Sequence, residues 1–145
     1  MKRIIYRSQA RAGIRSGELA ELLAISRRNN ARTGVTGLLI YSYGFFLQVL
    51  EGLDHQVDQT FDRIQRDERH CACQLVQEKT IFEPDFGEWK MGFWTNEISL
   101  EDQRAGIISV QAFLSETDSS WLAHKTELNE LLWDEIIQLR ESVAA

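Results

Sequence analysis

Cysteine, proline and long apolar runs are all scarce in this sequence of 145 residues, which has two cysteines and one proline. No run approaches the roughly 18 apolar residues of a membrane-spanning helix, and the basic start MKRIIYRSQ lacks the apolar stretch of a signal peptide. A net charge of −6 disfavours a general nucleic-acid partner, because an acidic surface repels phosphate. The composition therefore predicts a cytoplasmic protein that binds neither membranes nor nucleic acid.

The two cysteines, Cys71 and Cys73, belong to the segment HCAC. If both lie on one strand, their side chains point the same way, which is poor geometry for a mutual disulfide. A zinc site needs a fourth ligand and usually a second ligand pair, and the sequence shows neither around His70. We expect reduced thiols near a core and no metal.

Motifs for catalysis and nucleotide binding are also missing. Neither G-x-x-x-x-G-K-[ST] nor G-x-G-x-x-G occurs. The Ser, His and Asp residues follow no recognisable triad order. Two arginine clusters, one at positions 27, 28 and 32 and one at 63, 66 and 69, are typical of solvated helix faces, although either could meet a phosphate.

Apolar periodicity predicts the order β-α-β-β-α-β followed by one more strand. The expected strands are 3–8, 33–42, 45–52, 73–81 and 89–94. One helix is expected from about Gly17 to Asn30, and a second begins with Asp54 as its N-cap. This order predicts a ferredoxin-like α+β fold, with a mixed five-stranded sheet and two helices on one face.

The second and third strands are apolar on both sides, so both faces of the sheet need cover. The C-terminal third is expected to form a two-helix cap on the other face, with helices beginning near Ser99 and Ser120. No linker rich in Gly, Ser or Pro separates the two parts. We therefore predict one globular unit, with the main domain at 1–95 and a helical cap or output extension at 96–145.

Three polar residues do not suit a plain core. Tyr6 lies on an apolar strand face, Asn30 closes an apolar helix stripe, and Gln48 lies on a strand that is apolar on both faces. A buried amide without a partner costs about 1–3 kcal/mol, so both amides need partners. Because the first and third strands neighbour each other in a ferredoxin-like sheet, one face could hold all three in a slot for a flat ligand with polar edges. The alternatives are a satisfied core network, or Asn30 capping its own helix.

Five segments in register resemble the BLUF family of blue-light sensors that use flavin. They are IYRSQ, RRNNARTGVTGLLIY, FFLQVLEG, RIQRDERH and EWKMGF. They span residues 1 to about 95, and the remaining third is similar to the two-helix tail of short stand-alone members. The resemblance implies a photoreceptor that is not a turnover enzyme and that binds FAD, with FMN and riboflavin as alternatives.

The resemblance also implies roles for individual residues. Tyr6 matches the electron and proton donor to the excited flavin, and Gln48 matches the glutamine between that tyrosine and the isoalloxazine N5/O4 edge. Transfer from Tyr6 would let the amide rotate or tautomerise, which changes the hydrogen-bond network. The other residues implied to contact the flavin are Ser26, Asn29, Asn30, Asp67, Arg69 and His70.

Trp89 and Met91 match a mobile pair on the fifth strand, which would carry the signal to the C-terminal helices. The signal is expected to leave through association, either in a homo-oligomer or with a downstream response protein. Trp133 and Ile137 form a second apolar patch on the last helix and are the candidate contact surface, unless they pack against the first tail helix. A flavoprotein or small enzyme without a photocycle, or a structural interaction module, remain the alternative functions.

Overall fold

The computed structural model describes residues 1–11, 14, 16–42, 44–87, 90–95, 130–132, 134–135 and 138. The elements are β1 (Lys2–Ala10), α1 (Ser16–Thr33), β2 (Thr36–Ser42), β3 (Phe45–Gly52), α2 (Asp54–Gln65), β4 (His70–Thr80) and β5 (Gly92–Thr95). The strands form one sheet in the order β4-β1-β3-β2-β5. All neighbours are antiparallel except β2 and β5, which are parallel. The predicted ferredoxin-like α+β fold with a mixed sheet is therefore confirmed.

Several element ends differ from the prediction. Helix α1 continues to Thr33, β4 begins at His70, and β5 begins only at Gly92. The N-cap position of α2 is occupied by Leu53, whose side chain makes no capping bond, so the prediction that Asp54 caps this helix is wrong. Asp54 instead lies in the first turn, where its negative charge interacts favourably with the helix dipole.

Strands β2 and β3 pair antiparallel and form a hairpin. Ser42 at the end of β2 pairs with Phe45 at the start of β3. Gly44, between them, has a φ of +80°. Residues with a Cβ rarely adopt this left-handed conformation, so glycine favours the tight connection.

Strand β4 is irregular, because two register shifts interrupt its pairing with β1. The second shift places Ala72 and Cys73 opposite Ser8, and Ala72 has a φ of 54°. This bulge breaks the simple alternation expected for the two cysteines. Cys71 is exposed and Cys73 is half-buried, and both are free thiols. Burial raises the pKa of Cys73, which keeps this thiol protonated at neutral pH.

The sheet has an apolar core on each face. Alternate residues of β1 and β3 point to opposite sides. The core beneath α1 and α2 includes Ile4, Tyr6, Leu23, Phe46, Leu50 and Val57. The core on the other face includes Ile5, Leu38, Ile40, Leu47, Val49, Phe86 and Leu132.

The C-terminal part of the chain contributes to the second core through Leu132, which is buried there. Arg7 Nη1 on β1 also lies 3.3 Å from the Glu135 carboxylate. Both contacts agree with the predicted cap on this face. Most of the two predicted tail helices, including Trp133 and Ile137, lies outside the described residues. No helix in the described part of the chain is long and apolar enough to cross a lipid bilayer.

A buried carboxylate ties β3 to the loop that follows β4. Glu51 is fully buried and accepts hydrogen bonds from Arg3 Nε at 3.0 Å and from the N–H groups of Asp85 at 3.1 Å and Phe86 at 2.8 Å. Arg3 pairs with Asp85 as well. Several donors on one carboxylate offset the cost of its desolvation. The network therefore fixes this loop on the face away from α1 and α2.

Glu51→Ala is expected to lower the free energy of unfolding by about 3–5 kcal/mol, because it removes one partner of a buried ion pair and leaves two N–H groups without their acceptor. Chemical denaturation measures the change. Glu83→Ala, at an exposed position in the same loop, is the control and should stay within about 0.5 kcal/mol of the wild type. Equal stabilities for the two variants would contradict the importance of this network.

Candidate functional site

Tyr6 and Gln48 face each other across the two neighbouring strands β1 and β3. Both are buried under the helices, with 1% and 3% of their surface exposed. The Tyr6 hydroxyl donates a hydrogen bond to Gln48 Oε1. Burial raises the pKa of Tyr6 well above its ordinary value, and the nearby Cys73 and Asp67 add to this effect. The phenol therefore remains protonated and can act as a donor.

The other end of the Gln48 amide reaches Met91. Gln48 Nε2 donates to Met91 Sδ at 3.4 Å, and Met91 is buried immediately before β5. A thioether sulfur can only accept a hydrogen bond, whereas a phenol can donate or accept. Reversing the amide would retain a bond to Tyr6 but would place Oε1 against the sulfur. The contact with Met91 therefore favours one orientation of the amide.

Helix α1 supplies two donors to the backbone before β5. The buried Asn30 donates through Nδ2 to the carbonyl oxygen of Lys90. One turn earlier, Arg27 Nε donates to the carbonyl oxygen of Met91 at 3.0 Å. The Asn30 side chain thus serves this segment rather than the end of its own helix.

His70 closes the site near the end of α2. Its Nε2 lies 2.7 Å from the Ile64 carbonyl oxygen, and its Nδ1 lies 2.7 Å from Ser8 Oγ. A carbonyl only accepts, so Nε2 carries the hydrogen and the neutral ring accepts from Ser8 at Nδ1. Burial lowers the pKa of His70, which favours this neutral form. The ring also packs 5.7 Å from that of Phe46, measured between centroids.

The turn before His70 holds a cation whose charge is only partly satisfied. Asp67 Oδ1 accepts from the Arg69 backbone N–H at 2.9 Å and lies 3.7 Å from Arg69 Nε. Arg69 Nη1 is buried and has no hydrogen-bond partner in the described part of the chain. A buried donor without a partner is unfavourable. This atom is therefore suited to an acceptor on a bound ligand.

The structure brings most of the predicted site residues to the helix side of the sheet. Ser26 and Asn29 are half-buried on α1, and Met91 lies against Gln48. Trp89 lies outside the described residues. The side-chain amides can both donate and accept hydrogen bonds, which fits the polar edge of a flavin. The buried Arg69 Nη1 lacks an acceptor in the described part of the chain, which fits the anionic end of a flavin.

Sequence reasoning did not assign Ser8 or Arg27 to the site. Ser8 shares a strand face with Tyr6, and that spacing is the signal that could have found it. The cluster pattern groups Arg27 with exposed arginines, although Arg27 precedes Asn30 by three residues. Residues three apart on a helix are neighbours, so both can reach the same segment.

Comparison with known proteins places these features in the class of flavin-based photoreceptors. A family model described as sensors of blue-light using FAD matches residues 1–92. The chain therefore belongs to the BLUF family. The predicted family, flavin as the cofactor and blue-light sensing as the class of function are confirmed. The matched region is a sensor module, which agrees with the prediction that it is not a turnover enzyme.

The curated relatives are much longer than this chain. Photoactivated adenylate cyclase subunit alpha of Euglena gracilis is 37% identical over 73 residues, which is 50% of this chain and 7% of the cyclase. The blue light- and temperature-regulated antirepressor BluF of Escherichia coli is 36% identical over 67 residues, which is 46% of this chain and 17% of that protein. The matched segments thus cover less than a fifth of either relative.

Two solved structures have a similar fold. The ground state of BlsA is 28% identical, with a TM-score of 0.65, and the match covers 90% of this chain and 87% of BlsA. The dark state of BlrB, a BLUF protein, is 26% identical, with a TM-score of 0.64 over 71% of this chain and 81% of BlrB. Both support the ferredoxin-like arrangement described above.

Proposed function

We propose that the hydrogen-bonded series Tyr6–Gln48–Met91 is the switch of a blue-light sensor. The observation that carries this proposal is the position of the Gln48 amide, which bonds a buried phenol at one end and a buried thioether at the other. An amide has a donor end and an acceptor end, so it can bridge its neighbours in more than one arrangement. Few other side chains of this reach could do so.

The residues expected to hold the flavin lie on two sides of the site. Gln48, Asn30, Asn29 and Ser26 would bind its polar ring edge, and Asp67, Arg69 and His70 would contact its other side and its chain. When bound, a flavin absorbs blue light and becomes a strong oxidant in its excited state. We propose FAD as the natural form, on the description of the family.

Tyr6 would act as the donor of the switch. Its proton is held at Oη and directed at Gln48 Oε1, and both side chains are almost entirely buried. Loss and return of this hydrogen would directly disturb the bond to Gln48. Because the phenol is protonated at rest, it can supply a proton together with an electron.

Gln48 would pass the change to Met91. A rotated amide no longer donates to Met91 Sδ, and a tautomeric amide has only one hydrogen left on its nitrogen, so the segment before β5 would lose or weaken its contact with the centre of the site. Gly92, the next residue, pairs with Leu38 of β2. A shift of Met91 would thus affect the pairing of β5 at the edge of the sheet. This edge is close to where the chain continues towards its C-terminal part.

Output is proposed to occur through association, in a homo-oligomer or with a downstream response protein. We propose residues 1–95 as the sensor domain and residues 96–145 as its helical cap and output extension, acting in the cytoplasm. The contacts of Leu132 and Glu135 with the sheet support a cap. The predicted association surface at Trp133 and Ile137 lies outside the described residues.

The absorption spectrum of the purified protein, before and after blue light, tests the proposed function. We expect a yellow protein whose flavin band shifts to the red on illumination and returns in the dark. Chromatography of the released cofactor should identify FAD. A colourless preparation from flavin-sufficient cells would contradict flavin binding, and a yellow protein without a reversible shift would be a flavoprotein without a photocycle.

Asn30→Ala is expected to weaken flavin retention by about 0.5–1.5 kcal/mol, or to shift the dark spectrum, because it removes contacts to a buried ligand edge. Titration of the flavin-free protein with FAD measures the affinity. Arg32→Ala, at an exposed position half a turn later, is the control and should bind as the wild type does. Unchanged affinity and spectrum in Asn30→Ala would restrict Asn30 to its contact with Lys90.

A further inference from the structure

Met91 is held by two hydrogen bonds from different parts of the fold. Its sulfur accepts from Gln48 on β3, and its backbone carbonyl accepts from Arg27 on α1. The first bond depends on the orientation of the Gln48 amide, because only the Nε2 end can donate. The second bond does not depend on the amide. It joins a backbone carbonyl to the Arg27 guanidinium, which carries hydrogens at every nitrogen. Arg27 therefore holds Met91 independently of the amide.

The position of Arg27 suits a residue that fixes a backbone segment from outside the pocket. Much of the residue is exposed, but Nε lies 3.0 Å from the Met91 oxygen. Contact with the protein removes enough water from the guanidinium to lower the pKa of Arg27. Asn30, one turn later, holds the carbonyl of Lys90. Two consecutive peptide carbonyls are thus fastened to α1 directly before β5.

We propose that Arg27 is a positioning residue whose hydrogen bond to the Met91 carbonyl stabilises the resting position of the segment before β5 and thereby sets the rate of dark recovery. This inference rests on the proposed function, in which Met91 is displaced when Gln48 changes. Return to rest requires Met91 to approach both Gln48 and α1 again. The bond from Arg27 favours that return, and its loss should slow recovery.

Three variants test the role of Arg27. Arg27→Ala removes the bond, and Arg27→Lys keeps the charge but has no donor at the position of Nε. Arg28→Ala removes a neighbouring exposed arginine and is the matched control. After a pulse of blue light, we expect the flavin absorption of Arg27→Ala to return to its dark form about threefold to tenfold more slowly than that of the wild type. This corresponds to a modest change in the activation barrier of dark recovery. Arg27→Lys should also recover slowly, whereas Arg28→Ala should not.

A purely structural role would give a different result. We expect Arg27→Ala to keep the flavin content, dark spectrum and thermal midpoint of Arg28→Ala. Recovery at the wild-type rate in Arg27→Ala, or equal slowing in Arg28→Ala, would overturn the proposal. Wild-type recovery in Arg27→Lys would show that charge suffices, and would overturn the directed hydrogen bond.

Hydrogen exchange in the dark provides a second measurement that needs no photocycle. Peptides covering residues 90–95 should exchange about threefold faster in Arg27→Ala than in Arg28→Ala, since one restraint on the segment is missing. If the wild type shows no light response, the proposed function fails, and this result still tests the contact. Unchanged exchange at 90–95, or faster exchange throughout β1 and β3, would overturn the local role of Arg27.

Discussion

Tyr6→Phe is expected to abolish the normal light-induced shift while leaving the fold and the flavin in place. The substitution removes only the hydroxyl that donates to Gln48 Oε1. The ring itself keeps its packing against Phe61, whose centroid lies 5.1 Å away. Phenylalanine has no proton to give, so the switch loses its donor. Light-minus-dark absorption spectra, recorded at equal flavin content, measure the effect.

Tyr41→Phe is the matched control for this experiment. Tyr41 is also buried beneath the helices and packs against Phe46, but it lies on β2 and is not paired with Gln48. We expect this variant to retain a reversible shift. A normal shift in Tyr6→Phe, or its loss in both variants, would contradict the specific role of Tyr6.

Gln48→Ala is expected to bind flavin and to lose the red shift completely, because the amide that rearranges is gone. The variant should also lose about 1–3 kcal/mol of stability, since the Tyr6 hydroxyl is left buried without its acceptor. Absorption spectra and thermal unfolding measure the two effects. Gln65→Ala, at an exposed position at the end of α2, should change neither. A reversible shift of wild-type size in Gln48→Ala would reject Gln48 as the switch.

The central features of the fold and site could be predicted because they follow from local periodicity. Alternation along β1 and β3 places Tyr6 and Gln48 on the same face, and helical spacing adds Asn30. Because burying an unpaired amide is unfavourable, Gln48 and Asn30 must both have hydrogen-bond partners. The strand order follows from the β-α-β-β-α-β pattern, since a ferredoxin-like sheet makes β1 and β3 neighbours.

The remaining features depend on contacts between distant parts of the chain. Glu51 reads as an interruption of an apolar strand, and its donors lie 34, 35 and 48 residues away in sequence. The bulge in β4 places Ala72, which is not a glycine, at positive φ, and no local sequence signal predicts this. The bond from Arg27 to Met91 likewise joins residues 64 apart. Periodicity shows which face a residue occupies but not which backbone carbonyl it meets.

The central claim is that light changes the hydrogen bonding of the Gln48 amide between Tyr6 and Met91. Light-minus-dark infrared spectroscopy on protein with ¹³C-labelled glutamine side-chain carbonyls tests it most directly. We predict a light-dependent amide carbonyl band that moves with the label, that disappears in Gln48→Ala and that persists in Gln65→Ala. If the flavin absorption still shifts reversibly but none of the light-dependent bands responds to the label, the account is contradicted.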